Sequence, residues 1–335
     1  MQIILWVLVI LASVGAIVWG AETFAKNLGT AAVRLRVSVF ALSLLLAGAE
    51  PEELATAVAA SLKEAPGIAF GDVIGANVAI CLVALGVGGL VAPLPFGKRV
   101  RRYALLSLPI GALATYFVWD GNVDRPEGFL LVGLYILYVA IIWIVEQQPP
   151  ALGETEEIAE AQEKLATVGA ATQSRVGKEL LLVLAGVVVM AIGATILVEA
   201  VRQISSNEQT QTKLGLTLVG FATAFELVIL AWSATRRGVT DAVVAGVVGS
   251  YAYNVTMTLG AAALVRPLKI VDANYLHVPL LAMLASLVLV ILLAVPKGYL
   301  GKVAGGVLLM CYPLFVLVIL LSKKISYRFH FLGRA

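Results

Sequence analysis

The sequence predicts an all-α integral membrane protein of about ten transmembrane helices, laid out as two inverted five-helix repeats. Three observations predict it. The chain is 60% hydrophobic and only 13% charged, against about 25% charged residues in a typical soluble domain. Its apolar runs are long enough to cross a bilayer, which takes roughly 20 residues at about 1.5 Å rise each. Two acidic segments recur at a fixed offset, Glu52 and Glu226 lying 174 positions apart.

The expected spans run near 3–20, 30–60, 68–92, 103–119, 127–145, 177–200, 213–235, 239–265, 276–295 and 299–321. The first has no basic residue before it, unlike a cleavable secretory signal, and is expected to be retained. The second is too long for one straight crossing. It is interrupted at Gly48-Ala49-Glu50-Pro51, where proline removes a backbone donor and crowds the preceding turn. The third and eighth are rich in glycine, which lets helix backbones approach closely. Residues 1–146 thus form a first repeat and 177–322 a second, followed by a basic tail, 323–335. Between the repeats, residues 147–176 are hydrophilic, with Glu154, Glu156, Glu157, Glu160, Glu163 and Lys164, and read as a solvated connector.

Lysine and arginine set the orientation. Fourteen of them fall in odd-numbered loops, among them Lys98, Arg99, Arg101 and Arg102, and six in even-numbered loops, such as Lys63, Arg125 and Lys269. Odd loops, and the connector with them, are therefore expected to be cytoplasmic and the N-terminus outside. The tail, with Lys323, Lys324, Arg328 and Arg334, runs against this balance.

The repeat rests on more than one glutamate pair. At the same offset Gly75-Ala76 falls on Gly249-Ser250, Leu85-Gly86 on Leu259-Gly260, and Ser61 on Thr235. Each half keeps a 23-residue gap from glutamate to glycine. With five spans per half, the second half must enter the membrane from the opposite side. In such inverted repeats binding sites lie near the midplane, where interrupted helices meet.

A carboxylate in hydrocarbon costs from about 2.5 to more than 10 kcal/mol and persists where it faces a partner, a cavity or an ion. Glu226 lies deep in an apolar run, and Glu52 holds the equivalent place in the other half. Glu50 and Glu53 flank Glu52. Successive helical residues point about 100° apart, so the three cannot all face one small site, and one of them is expected either to line an entrance or to be protonated. Asn77, Thr223, Ser250 and Asn254 share spans with the motif residues Gly48, Gly75 and Gly249 and with the glutamates, and Asp72 lies one turn before Gly75. Two glutamates with such oxygen donors suit a hard cation like calcium, which takes six to eight oxygens. Cys81 and Cys311 sit in apolar runs and read as small hydrophobes; His277 and His330 fall at or beyond span ends. Neither a zinc cluster nor a nucleophile–base pair is visible, and nothing suggests nucleic acid.

These segments resemble the calcium/cation antiporter superfamily, which includes the sodium/calcium exchangers. That family carries two inverted repeats of the form Gly-Thr-Ser-(Leu/Val)-Pro-Glu followed by Gly-Asn-x-x-Gly-Ser-Asn-x-x-(Asn/Asp). Here the first repeat reads Ala47-Gly48-Ala49-Glu50-Pro51-Glu52, then Gly71-Asp72-Val73-Ile74-Gly75-Ala76-Asn77-Val78-Ala79-Ile80. The second reads Phe221-Ala222-Thr223-Ala224-Phe225-Glu226, then Ala245-Gly246-Val247-Val248-Gly249-Ser250-Tyr251-Ala252-Tyr253-Asn254. The resemblance implies that Glu52 and Glu226 are the cation-binding carboxylates, with Thr223, Ser250 and Asn254 as hydroxyl and amide ligands. It also implies rocking of the first and sixth spans past the core. The family's hydroxyls and amide are replaced at Gly48, Ala49, Ala76, Ile80 and Ala222, which bears on sodium coupling.

The expected activity is secondary antiport of calcium against sodium or protons, by alternating access around Glu52 and Glu226. Another cation on the same fold (magnesium, manganese or a monovalent ion) and a non-transporting membrane sensor or assembly protein are the alternatives. No enzyme activity and no resident cofactor are expected. Calcium and sodium or protons enter as transported ions. The partners are membrane lipid and small inorganic cations, with a homo-oligomer left open. The expected location is the cell membrane, multi-pass, of the prokaryotic inner-membrane type.

Overall fold

The computed structural model describes residues 2–34, 50–146, 176–236 and 240–332. Gly48, the connector at 147–175 and the last three residues lie outside the described residues. The described residues are mainly helical: α1 (Gln2–Arg34), α2 (Pro51–Leu62), α3 (Pro66–Val91), α4 (Lys98–Val118), α5 (Arg125–Glu146), α6 (Val176–Ile204), α7 (Glu208–Arg236), α8 (from Thr240 to Val265), α9 (Asn274–Ala294) and α10 (Lys302–Leu332). Among the described residues, seven helices are long and apolar enough to cross a membrane.

Sequence and structure differ in places. The first helix does not stop near residue 20 but continues to Arg34, because Ala21–Asn27 contains no breaker. Helix α10 runs on through Leu332 into what reads as a basic tail. The expected break in the second span is present: Glu50 is extended and Pro51 opens α2 as its first residue, the position where a missing N–H costs nothing.

The boundaries of successive elements recur at the offset of the motifs. Helix α2 at 51–62 reappears as 225–236 within α7. The first part of α3, Pro66–Ala79, matches Thr240–Tyr253 in α8, and Leu85–Val91 matches Leu259–Val265. Between those parts both helices widen into a π-helical turn, Ile80–Ala84 in α3 and Asn254–Thr258 in α8. A third π turn, Gly215–Val219, lies in α7. Such turns are rare and cluster at functional places; nothing in the apolar periodicity announces them.

Packing follows the same exchange. Four two-residue strands, β1 (Leu94–Pro95), β2 (Asn122–Val123), β3 (Leu268–Lys269) and β4 (Tyr299–Leu300), pair antiparallel as β1 with β4 and β2 with β3. Each pair joins one half to the other. Since β3 is the counterpart of β1, and β4 that of β2, each pairing is the image of the other. Gly86 meets Gly305, and its counterpart Gly260 meets Gly128: a Cβ on Gly305 would lie 2.6 Å from the Gly86 carbonyl oxygen, and one on Gly128 2.8 Å from that of Gly260.

The tightest seam joins α3 to α7. Gly67, Gly71 and Gly75 form a small-residue stripe on α3, and Gly215 and Gly220 answer it on α7. A Cβ on Gly71 would meet the Gly215 backbone at 2.8 Å, and one on Gly220 the Ala76 amide nitrogen at 2.5 Å. Lipid gives no hydrophobic drive for helix pairing, so this close backbone approach supplies the dispersion contact that holds the helices together. Outside the seam, α1 packs lengthwise on α6, meeting it at Gly20 and Gly186.

Candidate functional site

The acids lie on the seam helices and beside them: Asp72 on α3, Glu226 on α7, and Glu50, Glu52 and Glu53 at the start of α2. All three carboxylates of the first repeat are buried: Glu50 is 7% exposed, Glu52 2% and Glu53 0%. Of the two alternatives expected for the extra acid, a place at an entrance is therefore corrected. The bend at Glu50 resolves the crowding, because an extended residue before Pro51 frees Glu50 from helical spacing while Glu52 and Glu53 diverge on the first turn of α2.

Two groups result. In the first, the Ser250 hydroxyl of α8 donates to Glu50 Oε1, and the Glu50 and Glu52 carboxyls lie within hydrogen-bonding reach of each other. Glu226 stands within electrostatic range of Glu50. Glu226 is half-buried, beside an exposed Phe225, so it lies nearer the periphery than its apolar run suggests. In the second group Glu53 faces Asp72 and Asn254. Thr223 Oγ1 donates to Asp72 Oδ1 at 3.0 Å.

The amides link the halves. Asn254 Nδ2 donates to Asn77 Oδ1 at 3.3 Å, and Asn77 Nδ2 donates to the Tyr251 carbonyl at 3.4 Å, Tyr251 being the repeat counterpart of Asn77 itself. Asn254 opens the π turn of α8 and accepts from Thr258 at 3.4 Å. Gly75 and Gly249 keep backbones close: a Cβ on Gly75 would run into the Leu216 backbone of α7, and Gly249 lies in α8 directly before Ser250.

The structure thus brings together Glu50, Glu52, Glu53, Asp72, Asn77, Thr223, Ser250 and Asn254, with Glu226 at the margin. Among the described residues no three His, Cys, Asp or Glu are arranged to hold a metal ion by themselves, so a bound cation would draw oxygens from hydroxyls and amides as well. Sequence reasoning missed three things: the turn at Ala224 just before Glu226, which has neither glycine nor proline to mark it; the Ser250–Glu50 bond; and the facing of Glu53 and Asp72. The last two join positions far apart in sequence and have no local signal.

An interrupted helical core built from two matching halves, with acids buried between them, defines a polytopic membrane protein of the secondary-transporter type. The chain belongs to the sodium/calcium exchanger protein family, which it matches over residues 5–144 and 178–321. That membership supports cation antiport as its activity. It is 24% identical to the inner membrane protein YrbG of Escherichia coli over 87% of each chain. It is 26% identical to the sodium/calcium exchanger MaX1 of Methanosarcina acetivorans over 93% of this chain and 97% of that one. A solved structure of the sodium-calcium exchanger NCX_Mj, soaked with Na+ and Sr2+, shares the fold with a TM-score of 0.60 at 21% identity, covering 94% of this chain and 98% of that one.

Proposed function

We propose that the protein exchanges calcium for sodium or protons across the cell membrane, by alternating access around Glu52 and Glu226. The observation that carries this reading is the meeting of buried carboxylates from one half with hydroxyl and amide groups from the other, on two helices that bend at equivalent places. A fixed cluster of negative oxygens in low dielectric attracts a dehydrated hard cation. It repels itself when the cation leaves, so a counter-ion must follow. The Glu50–Glu52 contact suits a proton in that role, since an ionised carboxylate only accepts hydrogen bonds and one of two touching carboxyls must donate.

The two halves are proposed to be inverted across the bilayer. In support, β1 and β4 belong to odd-numbered loops and β2 and β3 to even-numbered ones, so strand pairing obeys the alternation of sides that the basic residues suggest. The N-terminus then lies outside. The α1–α6 pair is proposed to move past the core.

The decisive experiment is flux of radioactive calcium into proteoliposomes holding the purified protein, driven by a sodium or a pH gradient. Gradient-driven calcium uptake is the expected result; uptake unaltered by Glu226→Gln would remove the assigned role of that residue. A second reading, transport of magnesium, manganese or a monovalent cation, is favoured by the missing hydroxyls at Gly48, Ala49, Ala76 and Ala222 and the apolar Ile80. Competition of those cations against labelled calcium separates the two.

A further inference from the structure

We propose that Glu53 and Asp72, with the Thr223 hydroxyl, form a second divalent-cation site of calcium type, separate from the Glu52–Glu226 pair. It rests on the reading that the protein binds hard cations.

Glu53 and Asp72 are both fully buried, at 0% exposed. Neither Glu53 oxygen makes a hydrogen bond of normal geometry, although Asn254 faces it, and Asp72 Oδ2 makes none either. Three buried carboxylate oxygens on two interacting acids are thus left without a hydrogen bond of normal geometry. Buried charges in proteins are paired or hold a metal, because isolated ones lose several kcal/mol of solvation. No basic side chain pairs with either acid among the described residues; the ion pairs Arg266–Glu64 and Arg202–Glu199 lie apart from them and are exposed.

The backbone builds this arrangement on purpose-made contacts. Close approach of Gly220 to Asp72, whose carbonyl oxygen lies 2.8 Å from where a Gly220 Cβ would be, brings α7 against α3. One turn further on, Thr223 reaches Asp72 Oδ1. Glu53, one residue after Glu52, points away from the Glu50–Glu52 group because adjacent helical positions diverge by about 100°. Charge decides the ligand class. Two ionised carboxylates are neutralised by one divalent ion, whereas a monovalent ion leaves one negative charge buried. The two carboxylates and the hydroxyl supply oxygens of the kind calcium takes.

The test is equilibrium binding of radioactive calcium to the full-length protein in detergent. The wild type is expected to bind two ions per chain. Glu53→Gln with Asp72→Asn is expected to leave one, and so is Glu52→Gln with Glu226→Gln. Thr223→Ala, which keeps both acids, is expected to weaken one site by about 10- to 100-fold, as loss of a ligand's hydrogen-bond partner does; it serves if the double variant fails to fold. An unchanged ion count in the Glu53/Asp72 variant overturns the proposal. So does a wild type binding a single ion that vanishes with Glu52→Gln and Glu226→Gln, a result that leaves the antiport reading standing. A single ion that vanishes only with the Glu53/Asp72 variant upholds the new site and removes the other.

Discussion

At the scale of the residue, the balance between hydroxyl and carboxyl differs between the halves. Where the family motif has serine or threonine, the first repeat has Gly48, Ala49 and Ala76, yet it carries Glu50, Glu53 and Asp72 beside Glu52. Ser250 of the second half donates to Glu50. Ser250→Ala is expected to leave that buried acceptor short of a donor, at a cost of about 1–3 kcal/mol, and to lower the rate of calcium exchange in vesicles while the protein still folds. Restoring a hydroxyl with Ser250→Thr should recover part of the flux. Glu226→Gln should abolish exchange, read as the loss of gradient-driven calcium uptake.

The residue scale also marks how much of the site was legible. Glu52, Glu226, Asn77, Thr223, Ser250 and Asn254 stood out because polar groups are conspicuous in apolar runs and a fixed register tied them together. What Glu53 does was not legible: its partners come from α3 and α8, and only folding puts Asp72 and Asn254 opposite it.

At the scale of the element, glycine sets distance. The α3–α7 seam leaves no room for a methyl group at Gly220, whose Cβ would stand 2.5 Å from a backbone nitrogen and 2.8 Å from a carbonyl oxygen. Backbone cannot step aside as a flexible side chain can. Gly220→Ala is therefore expected to cost about 1–3 kcal/mol of overpacking strain, seen as a lowered melting temperature in detergent. Gly133→Ala, on α5 with nothing within 4 Å of the added carbon, should leave that temperature unmoved. Helix bounds were largely readable from hydropathy, and the break before Pro51 from proline chemistry. The π turns were not, because an extra residue in a turn leaves no mark on a pattern of apolar side chains, and the bend at Ala224 carries no breaker residue.

At the scale of the whole molecule, Gly97 and Val271 occupy equivalent places, 174 positions apart, each two residues beyond the end of its strand, β1 or β3. The proposed inversion of the halves would put them on opposite sides. With Cys81 and Cys311 replaced by alanine, Gly97→Cys is expected to react with a membrane-impermeant thiol reagent only from the cytoplasmic side. Val271→Cys, at a position 92% exposed, should react only from outside. Labelling of both from one side would refute the inversion. The repeat itself was visible in the sequence because identical offsets at several positions are hard to obtain by accident. The strand ties were not, since two-residue strands carry no periodicity.

Those ties have a consequence for synthesis. Strand β1 is made early and β4 only after nearly the whole chain, residues 94–95 waiting for 299–300. At about 5–20 residues per second, the first half spends on the order of ten seconds or more in the bilayer before Thr223, Ser250 and Asn254 arrive. Throughout that interval Glu50, Glu52, Glu53 and Asp72 lack the groups that answer them in the finished protein. A nascent first half is thus a natural client for insertion factors and quality-control proteases, and a chain truncated after the connector should be degraded rather than accumulate.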